Sequence, residues 1–376
     1  MKLTVTEIGR LAGCSGATVS RALNHSGAVS AKTREAVLNV LKKSSYPGRR
    51  AGGRGRRLAN LRAGGGPGLV EIILYRRSPM EPLRLKHGKL SVGPRTEESA
   101  QDWLYSTSQP FKLSNSYYRR IMDGVMAELA RWGHKAVQQT SNDLLSPDVL
   151  ADMNRPDRLG ILLLGEYSPD QAAFIEQCTH PMVLVDIIYN GWPDVVTVDN
   201  ITGIRTAFDH LYELGHRRIG YVGRHPEVTA FEERFLSYKW KLTEAGLPLR
   251  PAWVYAGPAH IDATANGVKH ILQQPEHPTA FLCANDMHAL GVLRAAAGMG
   301  LQVPGDLSVV GFDDEDVAAV VTPALTTVHV NFERLGVLAV RQLMLEVETG
   351  LLERQPGAHI RVQPELVVRQ STAKPA

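Results

Sequence analysis

The sequence predicts two structural classes in one chain: a small all-α helix-turn-helix unit at the N-terminus, and behind it a two-lobed α/β core of parallel, doubly wound sheets. Three observations predict this. Two short amphipathic stretches follow each other within the first 24 residues, positive charge is concentrated before residue 69, and from Leu69 onward apolar strand-like runs alternate with amphipathic helical segments. A length of 376 residues suits two or three such units, and an apolar fraction of 44% suffices for real cores.

The first helix begins at a capping box of Thr4 and Glu7 and carries Ile8, Leu11 and Ala12 on its packed face; Gly13 makes the turn. The second is capped by Ser15, and its Val19, Ala22 and Leu23 fall at i, i+3 and i+4, so that Gly16, Ala17, Ser20, Arg21 and Asn24 point outward. Two helices joined this tightly form a helix-turn-helix, whose second helix enters the DNA major groove with its N-terminal residues against base edges. The alternative is a helical hairpin with a merely solvated polar face. A turn at 24–28 follows, then a third helix capped by Ser30, with Val37, Leu38 and Leu41 covering the first two.

Charge favours the nucleic-acid reading. Residues 1–68 hold 13 Lys/Arg against 2 Asp/Glu and the rest of the chain 29 against 36, so a polyanion partner belongs at the N-terminal end. Three scattered cysteines, Cys14, Cys178 and Cys283, argue against a disulfide framework or a zinc site and read as reduced thiols. No run approaches 18 apolar residues, and the N-terminus is polar rather than signal-like, so a soluble protein of the cytoplasm is expected.

In the core, strands are expected at 70–74, 159–164, 182–185, 219–222, 253–255, 280–283 and 308–311, and helices at 117–132, 169–177, 201–214, 232–245, 263–273 and 287–297. Repeated alternation with short connections means parallel doubly wound sheets, and so many strands call for two subdomains.

Thr18-Val19-Ser20-Arg21-x-x-Asn24 followed by Val29-Ser30-x-x-Thr33-Arg34 is very similar to the headpiece of the lac repressor (LacI/GalR) family of bacterial transcription regulators, densely so over residues 3–47. The resemblance continues in Leu214-Gly215-His216-Arg217-Arg218-Ile219-Gly220, Ala284-Asn285-Asp286-Met287-His288-Ala289-Leu290-Gly291, Val303-Pro304-Gly305-Asp306, Gly311-Phe312-Asp313-Asp314, Pro323-Ala324-Leu325-Thr326-Thr327-Val328 and Pro364-Glu365-Leu366. It implies a headpiece at 1–47, a basic glycine-rich hinge at 48–68 and a periplasmic-binding-protein-like core at 69–376. The core's N-lobe would be about 69–198 plus 329–352, and its C-lobe about 199–328 plus 353–372. It also implies DNA contact by Thr4, Ser15, Gly16, Ala17, Thr18, Ser20, Arg21, Asn24, His25, Ser30, Thr33 and Arg34, with Arg21 the main polar reader or phosphate clamp.

Two departures from the family pattern stand out. Gly48, Gly52, Gly53 and Gly55 interrupt the hinge, each costing roughly 0.8–1 kcal/mol of helix relative to Ala. Either a leucine, Leu58 or Leu61, wedges into the minor groove, or the segment is a flexible cationic linker. The second departure is an insertion of roughly thirty residues, about 76–112, after the first strand. It reads as a partly ordered lid with its aromatic end, Trp103 to Phe111, near the ligand, or as a surface loop.

In open α/β sheets, ligands bind beyond the carboxyl ends of the strands. There the resemblance places Arg234 as a donor to hydroxyl or carboxylate oxygens and Asp313 as an acceptor from ligand hydroxyls; Asn285 and Asp186 sit at other strand ends, and Tyr117 or Tyr118 is placed to stack on a sugar face. Each has a plainer reading: Arg234 paired with Glu233 on the surface, Asp186 or Asp313 capping a helix, the tyrosines in the core. No Walker loop, Gly-x-Ser-x-Gly elbow, His-Glu-x-x-His or paired-cysteine site occurs, so no enzyme, cofactor or metal is expected. The expected function is sequence-specific transcriptional repression by a homodimer on a pseudo-palindromic operator, controlled by a small polar effector of sugar type. A dimer rather than a tetramer is expected because the sequence stops soon after Arg369.

Overall fold

Residues 69–75 (LVEIILY) are apolar almost throughout because they form a strand covered on both sheet faces, which is what a parallel sheet between helix layers demands. This first strand, β1 (Leu69–Tyr75), belongs to a computed structural model that describes residues 68–75, 83–86, 89–92, 116–165, 170–225, 228–349 and 355–375, together with positions 10–15, 18, 19, 30, 33, 36, 37 and 40. The chain divides into two compact units, Met1–Asn60 and Leu61–Ala376.

In the first unit, residues 10–12, 18–19, 33, 36–37 and 40 are helical, and Gly13 takes the left-handed φ of 68° that a tight interhelical turn needs. Ser15 caps as expected: its Oγ accepts from the Thr18 backbone N–H at 3.1 Å, and Ser30 does the same for Thr33 at 3.1 Å. Val19 and Val37 are fully buried against each other, with Ala12, Cys14 and Val40 around them. Leu11, expected on the packed face, is instead exposed within this unit.

In the second unit, β2 (Leu83–Lys86) and β3 (Lys89–Val92) form an antiparallel hairpin inside the predicted insertion; the aromatic end at 103–111 lies outside the described residues. Then follow α1 (Ser116–Arg131), β4 (Lys135–Ser141), α2 (Pro147–Met153), β5 (Arg158–Gly165), α3 (Asp170–Gln177), β6 (Met182–Val185) and β7 (Asp194–Val198). The chain crosses over to α4 (Asn200–Glu213), β8 (Ile219–Arg224), α5 (Thr229–Glu244), β9 (Val254–Ala256), α6 (Ile261–Leu272), β10 (Ala280–Cys283), α7 (Asp286–Gly298), β11 (Ser308–Asp313), α8 (Asp316–Val320) and β12 (Thr326–His329). It returns for α9 (Phe332–Thr349) and β13 (His359–Val362), and crosses a third time to β14 (Glu365–Val367).

The first sheet has the order β13-β7-β6-β5-β1-β4 and is parallel throughout; the second has the order β14-β12-β11-β10-β8-β9 and is parallel except for β14 against β12. Two doubly wound sheets joined by three crossovers are the architecture that the sequence predicts. The lobe boundary differs. His359–Val362 was expected in the C-lobe, at 353–372, but β13 pairs with β7 in the register His359↔Val195 to Val362↔Val198. The third crossover therefore falls at 363–364, and the N-lobe takes the whole segment from α9 to β13.

The N-lobe is closed by α9 lying along α1. Phe332, Leu335, Ala339, Val340, Leu343, Met344 and Val347 of α9 are buried, and fully burying a large apolar side chain contributes about 1.5–3 kcal/mol. The two helices touch through glycines: a Cβ at Gly124 would lie 2.0 Å from the Glu333 carbonyl oxygen, and one at Gly336 would lie 2.1 Å from that of Ile121. Arg120 of α1 and Glu333 of α9, 3.0 Å apart, brace the same crossing. The C-lobe is sealed by the chain's last residues. The Ser371 hydroxyl donates to Val309 O at 2.6 Å and accepts from Thr326 N at 2.8 Å, while buried His216 reaches Ala373 O at 2.9 Å.

Candidate functional site

The carboxyl ends of the parallel strands carry the side chains picked out above. Asp186 follows β6 and Asp313 ends β11; both hold a left-handed φ, 55° and 99°. Such a conformation costs a non-glycine residue on the order of 1–3 kcal/mol and clusters at functional sites.

Arg234 projects from α5 and is buried, so the plainer reading of a surface pair with Glu233 does not hold. Its Nε donates to Asn200 Oδ1 at 2.7 Å, its Nη1 to Ala284 O at 2.5 Å, and its Nη2 stands 3.3 Å from Asp313 Oδ1. The guanidinium plane lies 3.7 Å from the centroid of the Phe312 ring, a stacking that the planar arginine head allows and a lysine would not reproduce. Glu233 turns the other way, accepting from Asn200 Nδ2 at 2.9 Å and pairing with Arg361 at 3.2 Å, which ties the C-lobe to β13 of the N-lobe.

Asp313 caps no helix. Its Oδ1, out of line with the Arg234 donor, is buried without a hydrogen bond, and burial raises its pKa despite the arginine. From the N-lobe, the Tyr117 hydroxyl donates to Asp186 Oδ2 in a short contact. Burial pushes the Asp186 carboxyl up to about 6; the tyrosine bond and the Arg234 charge pull it down, and Asp313 pushes it further up. Carboxyls of the two lobes thus feel each other with Arg234 as their shared cation.

Tyr117 packs edge-on to Tyr118 and Phe332, both at 4.7 Å between centroids. Its hydroxyl is the group turned to Asp186, and Tyr118 is half-buried beside it. Asn285 stands at the end of β10 as the N-cap of α7, its Oδ1 accepting the His288 N–H at 3.0 Å.

Asn200, Phe312, Asp286, His288 and Glu315 belong to the same region but were not singled out. Asp286 and His288 lie inside the quoted Ala284–Gly291 motif and Phe312 precedes Asp313, so proximity to Asn285 and Asp313 was the available signal. Asn200 had none, since its partner is 34 residues away. Fully buried Asp286 accepts from Glu315 N at 2.7 Å and from the Thr327 hydroxyl at 2.6 Å. Burial raises its pKa to about 8, with Asp313 and Asp314 adding to the rise, and raises Glu315 to about 7.

A raised carboxyl pKa stabilises the fold below the unfolded value near 4 and loses that contribution as pH climbs to the folded value. The Asp286→Asn protein is therefore expected to lose less melting temperature than wild type between pH 5 and pH 8, a difference on the order of 1.4 kcal/mol per pKa unit removed. Parallel melting curves across that interval would show that Asp286 does not titrate there.

Of the expected DNA-contacting residues, Ser15, Thr18, Ser30 and Thr33 are described and are used in the two helix caps, Ser15 Oγ meeting Thr18 Oγ1 at 2.8 Å and Ser30 Oγ meeting Thr33 Oγ1 at 2.7 Å. Thr4, Gly16, Ala17, Ser20, Arg21, Asn24, His25, Arg34 and Leu58 lie outside the described residues. Among the described residues no group of side chains is arranged to hold a metal ion, and no helix is long and apolar enough to cross a membrane.

Comparison with known proteins follows the same division. The profile of bacterial regulatory proteins of the lacI family matches residues 4–47, and that of the periplasmic binding protein-like domain matches residues 208–372. The HTH-type transcriptional repressor PurR of Haemophilus influenzae (strain PittEE) is 28% identical over 372 residues, covering 98% of both chains. Among solved structures, the lac repressor dimer bound to operator and the anti-inducer ONPF superimposes with a TM-score of 0.65 at 22% identity, over 99% of this chain and 100% of that one. The transcriptional regulator CelR in complex with cellobiose does so with 0.62 at 24%, over 98% and 100%. The chain thus carries a headpiece of the lacI family of bacterial regulatory proteins and a periplasmic-binding-protein-like domain, and the relatives it matches over nearly their whole length are PurR repressors.

Proposed function

We propose that the protein is a homodimeric transcriptional repressor that reads a pseudo-palindromic operator through the helix beginning at Ser15 and is controlled by a small polar effector, a carbohydrate, held between the lobes. Two-fold related recognition helices read two half-sites, and closure of the lobes changes their spacing. The observation that carries the effector reading is Asp313: a buried carboxylate oxygen without a hydrogen bond, beside a buried arginine, calls for a donor such as a ligand hydroxyl. Asp186, Asn285 and Tyr117 would complete the contacts. Support for a sugar comes from the CelR neighbour, a regulator of similar fold solved as a complex with cellobiose.

Thermal-shift measurements with cellobiose, ribose and hypoxanthine test this. A ligand that binds only the folded state adds about 2.7 kcal/mol at one hundred times its Kd. A sugar is expected to raise the melting temperature of wild type and not of Asp313→Ala. A shift with hypoxanthine alone would replace the carbohydrate by a planar base. A sugar shift undiminished in Asp313→Ala would place the ligand outside this cleft.

A further inference from the structure

His288 is fully buried at the point where three strands of the C-lobe sheet end. Its ring sits over Gly223 at the end of β8, where a Cβ would come within 2.7 Å of it, and meets Tyr255 and Phe231 edge-on at 6.4 and 5.7 Å. Nδ1 lies 2.7 Å from Asn285 Oδ1, and Nε2 lies 3.3 Å from Gly257 O.

The Asn285 oxygen is identified by the backbone. The His288 N–H can only donate, so the carboxamide atom 3.0 Å from it is the oxygen; a flipped amide would set two donors against each other. That same oxygen faces Nδ1 at 2.7 Å, the shorter of the ring's two oxygen contacts, so the single proton is assigned to Nδ1, and Nε2, 3.3 Å from Gly257 O, makes no hydrogen bond to it. Burial, with Arg234 and His225 nearby, lowers His288 to about 4, so the ring is neutral at pH 7 and has this one proton to give. Both lone pairs of Oδ1 are thus used by a single residue. The Nδ2 amide points away from that pair, on a residue that is only half-buried.

We propose that His288 is a positioning residue for the effector cleft: it holds Asn285 in one polarity, oxygen inward and amide outward, so that this position selects a hydrogen-bond acceptor on the effector. The inference rests on the cleft being the effector site. It adds a rule about the effector: over Asn285 it presents a carbonyl, a carboxylate, a ring nitrogen or the oxygen of a hydroxyl that donates elsewhere, such as to Asp313. An effector whose only group there is a donor, such as an ammonium, is disfavoured, because it would set a donor against the Asn285 amide, which can only donate.

Two measurements on the full-length protein decide it. The first needs no ligand: 15N spectra of histidine-labelled protein at pH 7, with the signal assigned by its loss in His288→Asn. A neutral ring protonated on Nδ1, unchanged down to pH 5, is expected; the Nε2-protonated form would overturn the proposal. The second is calorimetry with cellobiose and ribose. For whichever sugar binds wild type, His288→Met fills the space but leaves the backbone N–H of residue 288 as the one donor on the Asn285 oxygen, and affinity is expected to fall by up to about tenfold. His288→Asn places an amide nitrogen where Nδ1 was and should restore binding to within about threefold of wild type, while Asn285→Asp, which has no donor, should lose about tenfold or more. Wild-type affinity in His288→Met, or equal losses in His288→Met and His288→Asn, would reduce the histidine to packing. If neither sugar binds, the carbohydrate reading falls, and the tautomer still decides the orientation of Asn285.

Discussion

Replacing Arg234 by alanine is expected to destabilise the core by about 3–5 kcal/mol and to abolish the effector response, because it strips the partner from a buried charge. The side chains of Arg234 and Asp313 are only 4% and 11% exposed. Without the guanidinium, Asp313 keeps a desolvated carboxylate, Asn200 Oδ1 and Ala284 O lose their donor, and Asp186 loses its nearest compensating charge. Arg234→Lys keeps the charge but cannot reach both oxygens while lying over Phe312, so it should recover part of the stability and none of the response. Chemical denaturation of the core gives the first quantity and sugar titration the second. A loss below about 1 kcal/mol in Arg234→Ala would mean that the arginine is solvated in solution. Below the melting point of the variant, operator binding should persist, since Met1–Asn60 is a compact unit of its own.

Arg21→Ala is expected to abolish measurable operator binding while leaving the core's melting unchanged. An arginine reading a base edge is worth about 1–3 kcal/mol, and a two-fold dimer loses it twice, about 2–6 kcal/mol in all. Gly16 and Ala17 beside it have no hydrogen-bonding side chains to compensate. Gel-shift titration at fixed salt decides this, since the phosphate contribution is itself salt-dependent. Operator affinity that survives the change would put the recognition helix elsewhere in the headpiece.

What could be read from the residues depended on whether the determining contacts were local. The caps at Ser15 and Ser30 are local and were legible. So were the central strands, whose unbroken apolar runs reflect burial on both faces, as in β6 and β10. Edge strands carry no such signature: Lys135–Ser141, which has no neighbour on one side among the described residues, is half polar and does not read as a strand. His359–Val362 is likewise mostly unburied, and its partner β7 lies more than 150 residues earlier, so sequence adjacency assigned it to the wrong lobe. The helix Phe332–Thr349 was legible and missed, for its buried residues recur at i, i+3, i+4 and i+7. In the cleft, Arg234, Asn285 and Asp313 came from the family resemblance. Asn200, His288 and Asp286 did not, because what gives each its place is a contact with another element and not a period along its own.

The three crossovers have a consequence for how the protein is made. Neither lobe is a continuous piece of chain: the first sheet needs β1 and β13, and the second needs β8 and β14. At synthesis rates of roughly 5–20 residues per second, the sheet begun by β1 waits on the order of 15–60 s for β13, its last strand, to be made. The headpiece is translated first and can fold while the core cannot. A nascent chain thus acquires a DNA-binding surface well before it has the lobes that would regulate it, and a ribosome stalled between residues 200 and 360 would leave an apolar half-sheet exposed for chaperones to hold. Synthesis of β14 and of residues 371–373, which seal the C-lobe through Ser371 and His216, closes the second sheet.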